Sequence, residues 1–297
     1  MITNRKVIRT ETQIANQICK TFEEAKSCEE AEARVKAWLS DPNLTRTHIT
    51  TIFERAAHFG YTPIVELLIR RGDISDLNGD EGIEAMRHTI FYAGSFPVVQ
   101  ALVKAGYDVN NNISYDGNAL RLAVNKNKVD IVKWLLDNGA DPLPYPQDDP
   151  VYPYSLLILT EAAEKSSPEV ISLLVNRGNV PIKHSRALER AAYAGRIENV
   201  ICLLELGADI DEVADMEMSP MFNNEEKERG EFGNALHVAS SEGHLEMVRL
   251  LLDKGADPLS KDTRGMTARE RARRAGQRQV VALFPESNDS RRFYSTE

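Results

Sequence analysis

Histidine, cysteine and carboxylate side chains can ligate a metal or move a proton, so their spacing within the 297 residues bounds the chemistry available. The six histidines, His48, His58, His88, His184, His237 and His244, include no pair at metal-ligand spacing, and no cysteine stands beside them. No metal and no cofactor is expected. Cys19, Cys28 and Cys202 form no CxxC motif, and three thiols cannot all pair with one another, which points to a reducing compartment, cytoplasmic or nuclear. There is no GxSxG elbow, no Walker loop and no GxGxxG after a strand. No residue is assigned a catalytic role, and an enzyme is not the expected reading. A nucleophile and base joined only in space would leave no trace in spacing, so an enzyme or small-molecule binder stands as an alternative.

The carboxylates are unevenly spread. The formal net charge is −9, which argues against nucleic acid as a partner, because phosphates demand a basic face. Residues 211–232, DEVADMEMSPMFNNEEKERGEF, hold eight acids and two bases, a net of −6, so one stretch carries two thirds of the total. Met216, Met218, Met221 and Phe222 make its middle adhesive, since methionine adapts to varied apolar surfaces. Hydrophobic residues make up 42% and charged residues 27%, an ordinary soluble composition. No run approaches eighteen apolar residues and the start lacks an apolar leader, so neither a membrane span nor secretion is expected.

The elements that would position these residues come in copies. GNALHVASSEGHLEMVRLLLDKGADP (233–258) and GNALRLAVNKNKVDIVKWLLDNGADP (117–142) agree along their whole length. Weaker copies end at Gly72, Gly106, Gly178 and Gly207, and the six closing glycines, with Gly139 and Gly255, lie 34, 33, 39, 29 and 48 residues apart. Each copy predicts a short helix with small residues, such as Ala191-Ala192, that permit close approach. A left-handed stop follows at Gly60, Gly94, Gly195 or Gly243, with Asn127 and Ser166 in the glycine's place in two copies. A second helix then carries apolar residues at helical spacing, such as Val248, Leu251 and Leu252. One pair cannot bury its apolar face alone, so the copies must stack.

The period and motif resemble the ankyrin repeat family, and the GNAL variant is similar to fungal members. The resemblance implies an all-α solenoid of stacked helix-turn-helix units. It spans 46–284 as about seven repeats, with an N-terminal helical cap over 1–45 and a disordered tail over 285–297. It also implies a concave binding side built from hairpin tips and the exposed ends of the first helices. On this sequence those positions are His58, Phe59, Tyr92, Tyr193 and Glu242 on helices, Tyr115, Asp116 and Phe232 at hairpin tips, and Met218 and Phe222 in the acidic stretch. His88, His237 and His244 fall where the family places structural histidines.

Two joints break the rhythm. The proline-rich segment near 143–154 reads as a stiff extended loop followed by a copy too short for a normal hairpin, a place for the stack to change pitch. The acidic stretch adds fifteen residues to its copy and is expected to pack against, or gate, the groove. Arg269 to Arg278 holds five arginines against one acid, expected as the solvated face of a last, capping repeat. The expected function is an intracellular, monomeric protein–protein interaction scaffold whose partner is a protein of basic or mixed charge. A fungal ankyrin-type transcriptional regulator is the other alternative.

Overall fold

A helix nine residues long is marginal in water, and the sixteen α-helices among the described residues survive by pairing and stacking. The computed structural model describes residues 2–113, 117–143, 157–213 and 233–284. They fall into two compact units, Met1–Asp141 and Pro142–Glu297.

The first unit begins with α1 (Ile2–Glu24) and α2 (Cys28–Trp38). The sequence places the first of these only from residue 12, whereas the helix starts at Ile2. Ser27 caps α2 by accepting the Glu30 N–H. Ile18, Phe22 and Val35 are fully buried, and the rings of Phe22 and Phe59 lie 6.1 Å apart, fixing α1 against the next pair. Three pairs follow: α3 (Arg46–Phe59) with α4 (Thr62–Arg70), α5 (Asp80–His88) with α6 (Phe96–Lys104), and α7 (Ala119–Asn125) with α8 (Val129–Asp137).

The second unit holds four more pairs: α9 (Leu157–Lys165) with α10 (Pro168–Asn176), α11 (Ala187–Tyr193) with α12 (Ile197–Glu205), α13 (Ala235–Glu242) with α14 (Leu245–Asp253), and α15 (Ala268–Arg274) with α16 (Arg278–Val281). First helices pack on first helices and second on second within each unit. Among the described residues there is no strand beyond two isolated bridges, Asn112 with Asn118 and Lys261 with Thr267, each closing a hairpin. No described helix is long and apolar enough to cross a membrane.

The helix stops follow from backbone chirality. Gly60 takes φ +74°, and a Cβ there would sit 3.0 Å from the Ser95 Cβ of the next pair, so both conformation and close approach demand glycine. Asn127 adopts φ +51°, in keeping with its place at a glycine position. The fourth copy differs from expectation. Ser166 is not left-handed, and its carbonyl instead accepts from Arg196 and Asn199 at 3.0 Å each. The left-handed closing residue is Asn179 (φ +52°), one position after Gly178.

A ladder of side chains ties successive hairpins. The Asn78 Oδ1 accepts the Asp108 N–H at 2.7 Å while its Nδ2 donates to the Gly106 carbonyl at 3.1 Å. Asn110 repeats both bonds to Asp141 and Gly139, at the same two distances. In the second unit Asp211 takes this place. Its carboxylate accepts the Asp257 N–H at 3.1 and 3.2 Å and the Asn234 Nδ2 at 3.0 Å. Glu212 accepts the backbone N–H of His184, a non-glycine residue at φ +63° in the shortened joint. The acidic stretch therefore begins as part of the fold.

Candidate functional site

The first unit gathers rings at the ends of α3 and α5. His58 lies 5.0 Å from Phe59, 5.8 Å from His88 and 4.4 Å from Tyr92, centroid to centroid. His88 is 5.6 Å from Tyr92, and Phe91 is 4.7 Å from Tyr92. These spacings lie in or near the range of favourable aromatic contact. Phe59 also stacks on Phe22 and Tyr61, so it is partly committed to holding α1. Tyr92, 55% exposed, offers most of its surface to solvent.

The end of α5 is not an α-helix. Thr89–Ala93 is a π-turn, with the Gly94 N–H bonded to the Thr89 carbonyl at 2.7 Å. Such a turn accommodates one extra residue. The position three before the turn residue is fully buried in five of the six other copies, at Ala57, Val124, Ala163, Ala192 and Ser240, and is the exposed Arg273 only in the last. Here Thr89 and Ile90 fill the buried sites at 0% exposure, and Phe91 is displaced to the surface, 42% exposed. The Lys126 Nζ sits 3.4 Å from the Phe91 ring centroid, a cation–π contact from the following pair. Sequence spacing missed Phe91, because counting back from Gly94 assigns it to the core. The only signal was its size among small residues.

Charges lie one helical turn below the rings. Glu54 precedes His58 by four residues on α3, and Glu84 precedes His88 by four on α5, so each acid and its histidine share a helix face. Glu84 is paired with Arg87, and its Oε2 lies 3.7 Å from the His88 Nε2. Glu81 accepts from Arg46 at 2.9 Å and Thr50 at 2.7 Å. Half-buried Glu54 has no such partner among the described residues. Burial first, and then the Glu84 charge, push its carboxyl above the ordinary range. Burial lowers both histidines, assisted by Arg55 at His58 and by Arg87 at His88, so neutral rings are favoured.

In the second unit Tyr193 is 45% exposed at the end of α11, with the Arg190 guanidinium carbon 4.9 Å from its ring centre. Arg190 also pairs with Glu164 of α9 at 2.7 Å. Glu242 is exposed at the end of α13. His244 joins its Nε2 to the Tyr193 carbonyl at 2.8 Å, and His237 is buried between Asn234 Oδ1 and the Met266 carbonyl, so both serve the scaffold. His88 does otherwise. It belongs to the ring cluster, and its Nδ1 is buried without a hydrogen-bond partner. Tyr115, Asp116, Met218, Phe222 and Phe232 lie outside the described residues, as do most of the proline-rich joint and the tail. The C-terminal arginines do not all face solvent. Arg271 is buried and bonds Asp262 at 2.6 Å, with the pair 7% and 0% exposed.

The helix pairs, the asparagine ladder and the left-handed stops define a repeat protein that, within each unit, sets its first helices side by side. Ankyrin repeat family models match at residues 53–146, described as three copies, and at 225–272, described as many copies. Over those residues the chain carries repeats of the ankyrin family. It is 36% identical over 130 residues to the ankyrin repeat and KH domain-containing protein mask-1 of Caenorhabditis elegans, covering 43% of this chain and 5% of that one. It is 27% identical over 140 residues to the putative ankyrin repeat protein FPV014 of fowlpox virus, covering 47% of this chain and 30% of that one. The chain thus spans less than a third of either relative's length. The human ASB11 ankyrin repeat domain superposes with a TM-score of 0.60 at 20% identity, over 79% of this chain and 98% of that one, which shows a shared fold.

Proposed function

We propose that the chain is a protein-binding scaffold whose principal contact face is the ring cluster of the first unit, with Tyr92 and Phe91 at its centre and His58 and His88 beneath. Ankyrin repeats are generally protein–protein interaction modules. One observation carries the finer reading. Of the four exposed large apolar side chains among the described residues, Phe91, Tyr92, Tyr193 and Leu259, three lie at first-helix ends. Aromatic residues at such positions give large contact area with few rotatable bonds and are enriched at binding hot spots. The face is rigid, because Thr89, Ile90 and Ala57 lock the helices beneath it, so little ordering cost falls on association. A partner of basic or mixed charge suits a chain of net charge −9.

The test is affinity capture from the native cell with the intact chain and with Phe91→Ser/Tyr92→Ser. Both side chains are exposed, so the melting temperature should hold while capture of specific partners falls at least tenfold. Capture undiminished by the double substitution would refute this face. A parallel deletion of 214–229 tests the acidic stretch, which we propose contributes to the same partner's affinity.

A further inference from the structure

The geometry points to an arginine-bearing peptide segment as the partner's anchor, its guanidinium laid on the Tyr92 ring and its free edge donating to the Glu54 carboxylate. This rests on the reading of the ring cluster as a protein-binding face.

Three observations converge on that chemistry. Two of the three exposed rings already carry a cation from their own chain, Phe91 under Lys126 and Tyr193 under Arg190. The third, Tyr92, is the most exposed of the three, and no cation of the described residues is seated on it. A ring face attracts a cation through its quadrupole, and a planar guanidinium stacks there with its N–H groups left free. The second observation lies one turn down the same face. Among the described residues Glu54 has no ion pair or hydrogen bond, whereas its neighbours Glu81 and Glu84 are bound to Arg46 and Arg87. A half-buried carboxylate beside like charges is the group on this face with most to gain from a new cation.

The third observation is the rest of the platform. His58 and His88, flanking Tyr92 at 4.4 and 5.6 Å, are both biased toward their neutral forms, so they do not repel a cation. Arg55 is the opposing charge. It lies three residues before His58 on the same helix and its field reaches His58, His88 and Glu54, but among the described residues it forms no ion pair with Glu54, whose carboxyl stays raised despite it. Arginine fits better than lysine because one planar fork serves both the ring and the carboxylate.

The experiment is a display selection of random dodecapeptides on the immobilised full chain, followed by fluorescence-anisotropy titration of the selected peptides. Peptides that lose binding to Tyr92→Ser should share an arginine. Replacing that arginine by citrulline should weaken binding to the unaltered protein about tenfold, a readout independent of any variant's folding. Glu54→Gln and Tyr92→Leu should each weaken arginine peptides by a similar factor, with melting curves confirming the fold. Tyr92-dependent peptides that lack arginine, or arginine peptides indifferent to Glu54→Gln, would overturn this anchor while leaving the binding face in place. If every selected peptide binds Tyr92→Ser undiminished, the binding face and the anchor fall together.

Discussion

The ladder joining hairpins makes a quantitative prediction at Asp211. Asn78 and Asn110 each accept one backbone N–H and donate to one backbone carbonyl of the next repeat. An ionised Asp211 accepts the corresponding N–H of Asp257 but has no proton for the carbonyl of Gly255, the residue equivalent to Gly106 and Gly139. Asp211→Asn should restore that bond while its Oδ1 still accepts from Asp257 and Asn234. A net intramolecular hydrogen bond contributes about 0.5–1.5 kcal/mol. Against this stands the loss of charge-assisted acceptance, roughly twice the strength of a neutral bond. The balance is read from the carboxyl itself. Burial raises its pKa above the ordinary 3.8, the Asp257 N–H opposes that, and the Asp257 and Asp209 charges add to it. The net shift is upward, so the fold disfavours the ionised form and the asparagine should win.

The pH dependence follows from the same shift. Between 3.8 and the raised folded value, the folded state binds more protons at Asp211 than the unfolded state does, so this group's contribution to stability falls as pH rises through that window. The advantage of Asp211→Asn should therefore be full above the window and shrink toward zero as pH falls through it. Urea titrations monitored by circular dichroism at pH 7.5 and at acidic pH would measure both arms. A gain of about 1 kcal/mol should appear as an increase of about 2–4 °C in melting temperature for a body of this size. Destabilisation at pH 7.5, or an advantage that does not diminish in acid, would refute the reasoning.

Other perturbations test other parts of the argument. Deleting Phe91 should close the π-turn into a regular α-helix, with Thr89 and Ile90 still buried and Tyr92 kept two residues before Gly94. Stability should change by less than about 1.5 kcal/mol, checked by denaturant unfolding, whereas an unfolded product would contradict the one-residue insertion. Arg271→Ala should cost about 3–5 kcal/mol, because it leaves the buried Asp262 carboxylate without its partner. Burial pushes that carboxyl up, but hydrogen bonds from Arg271 and from the Met266 and Arg264 N–H groups outweigh it and hold it below 3.8. The pair's contribution is therefore present above 3.8 and lost as pH falls through the depressed folded value, and melting curves in acid would register it. His58 and His88 are lowered below 6.5, so the unfolded state takes up protons first and stability should fall as pH drops from 6.5 through their folded values. His58→Phe should flatten that slope in a pH series of melts, and an unchanged slope would count against it.

The sequence by itself determined the repeat. Helix pairs, apolar stripes and most of the left-handed stops were legible because each follows from short-range sterics and a 3.6-residue period. Asn127 shows this well: a single residue type in the glycine's place predicted a left-handed stop, found at φ +51°. Legibility ended where the local frame shifted by one. Gly178 gave way to Asn179 as the left-handed residue, and Phe91 went unnoticed as a surface ring, because a glycine-to-glycine interval does not reveal where within it a residue is gained. Only the tertiary structure decided that Thr89 and Ile90, packed against the neighbouring helices, take the buried sites and force the intervening ring outward. The same held for charge. Arg271 read as a member of a solvated face, and Asp211 and Glu212 as the start of an inserted acidic stretch. Burial and cross-repeat bonding gave each a fixed partner. Composition counts charges along the chain, but their pairing is set by distances that exist only once the repeats are stacked.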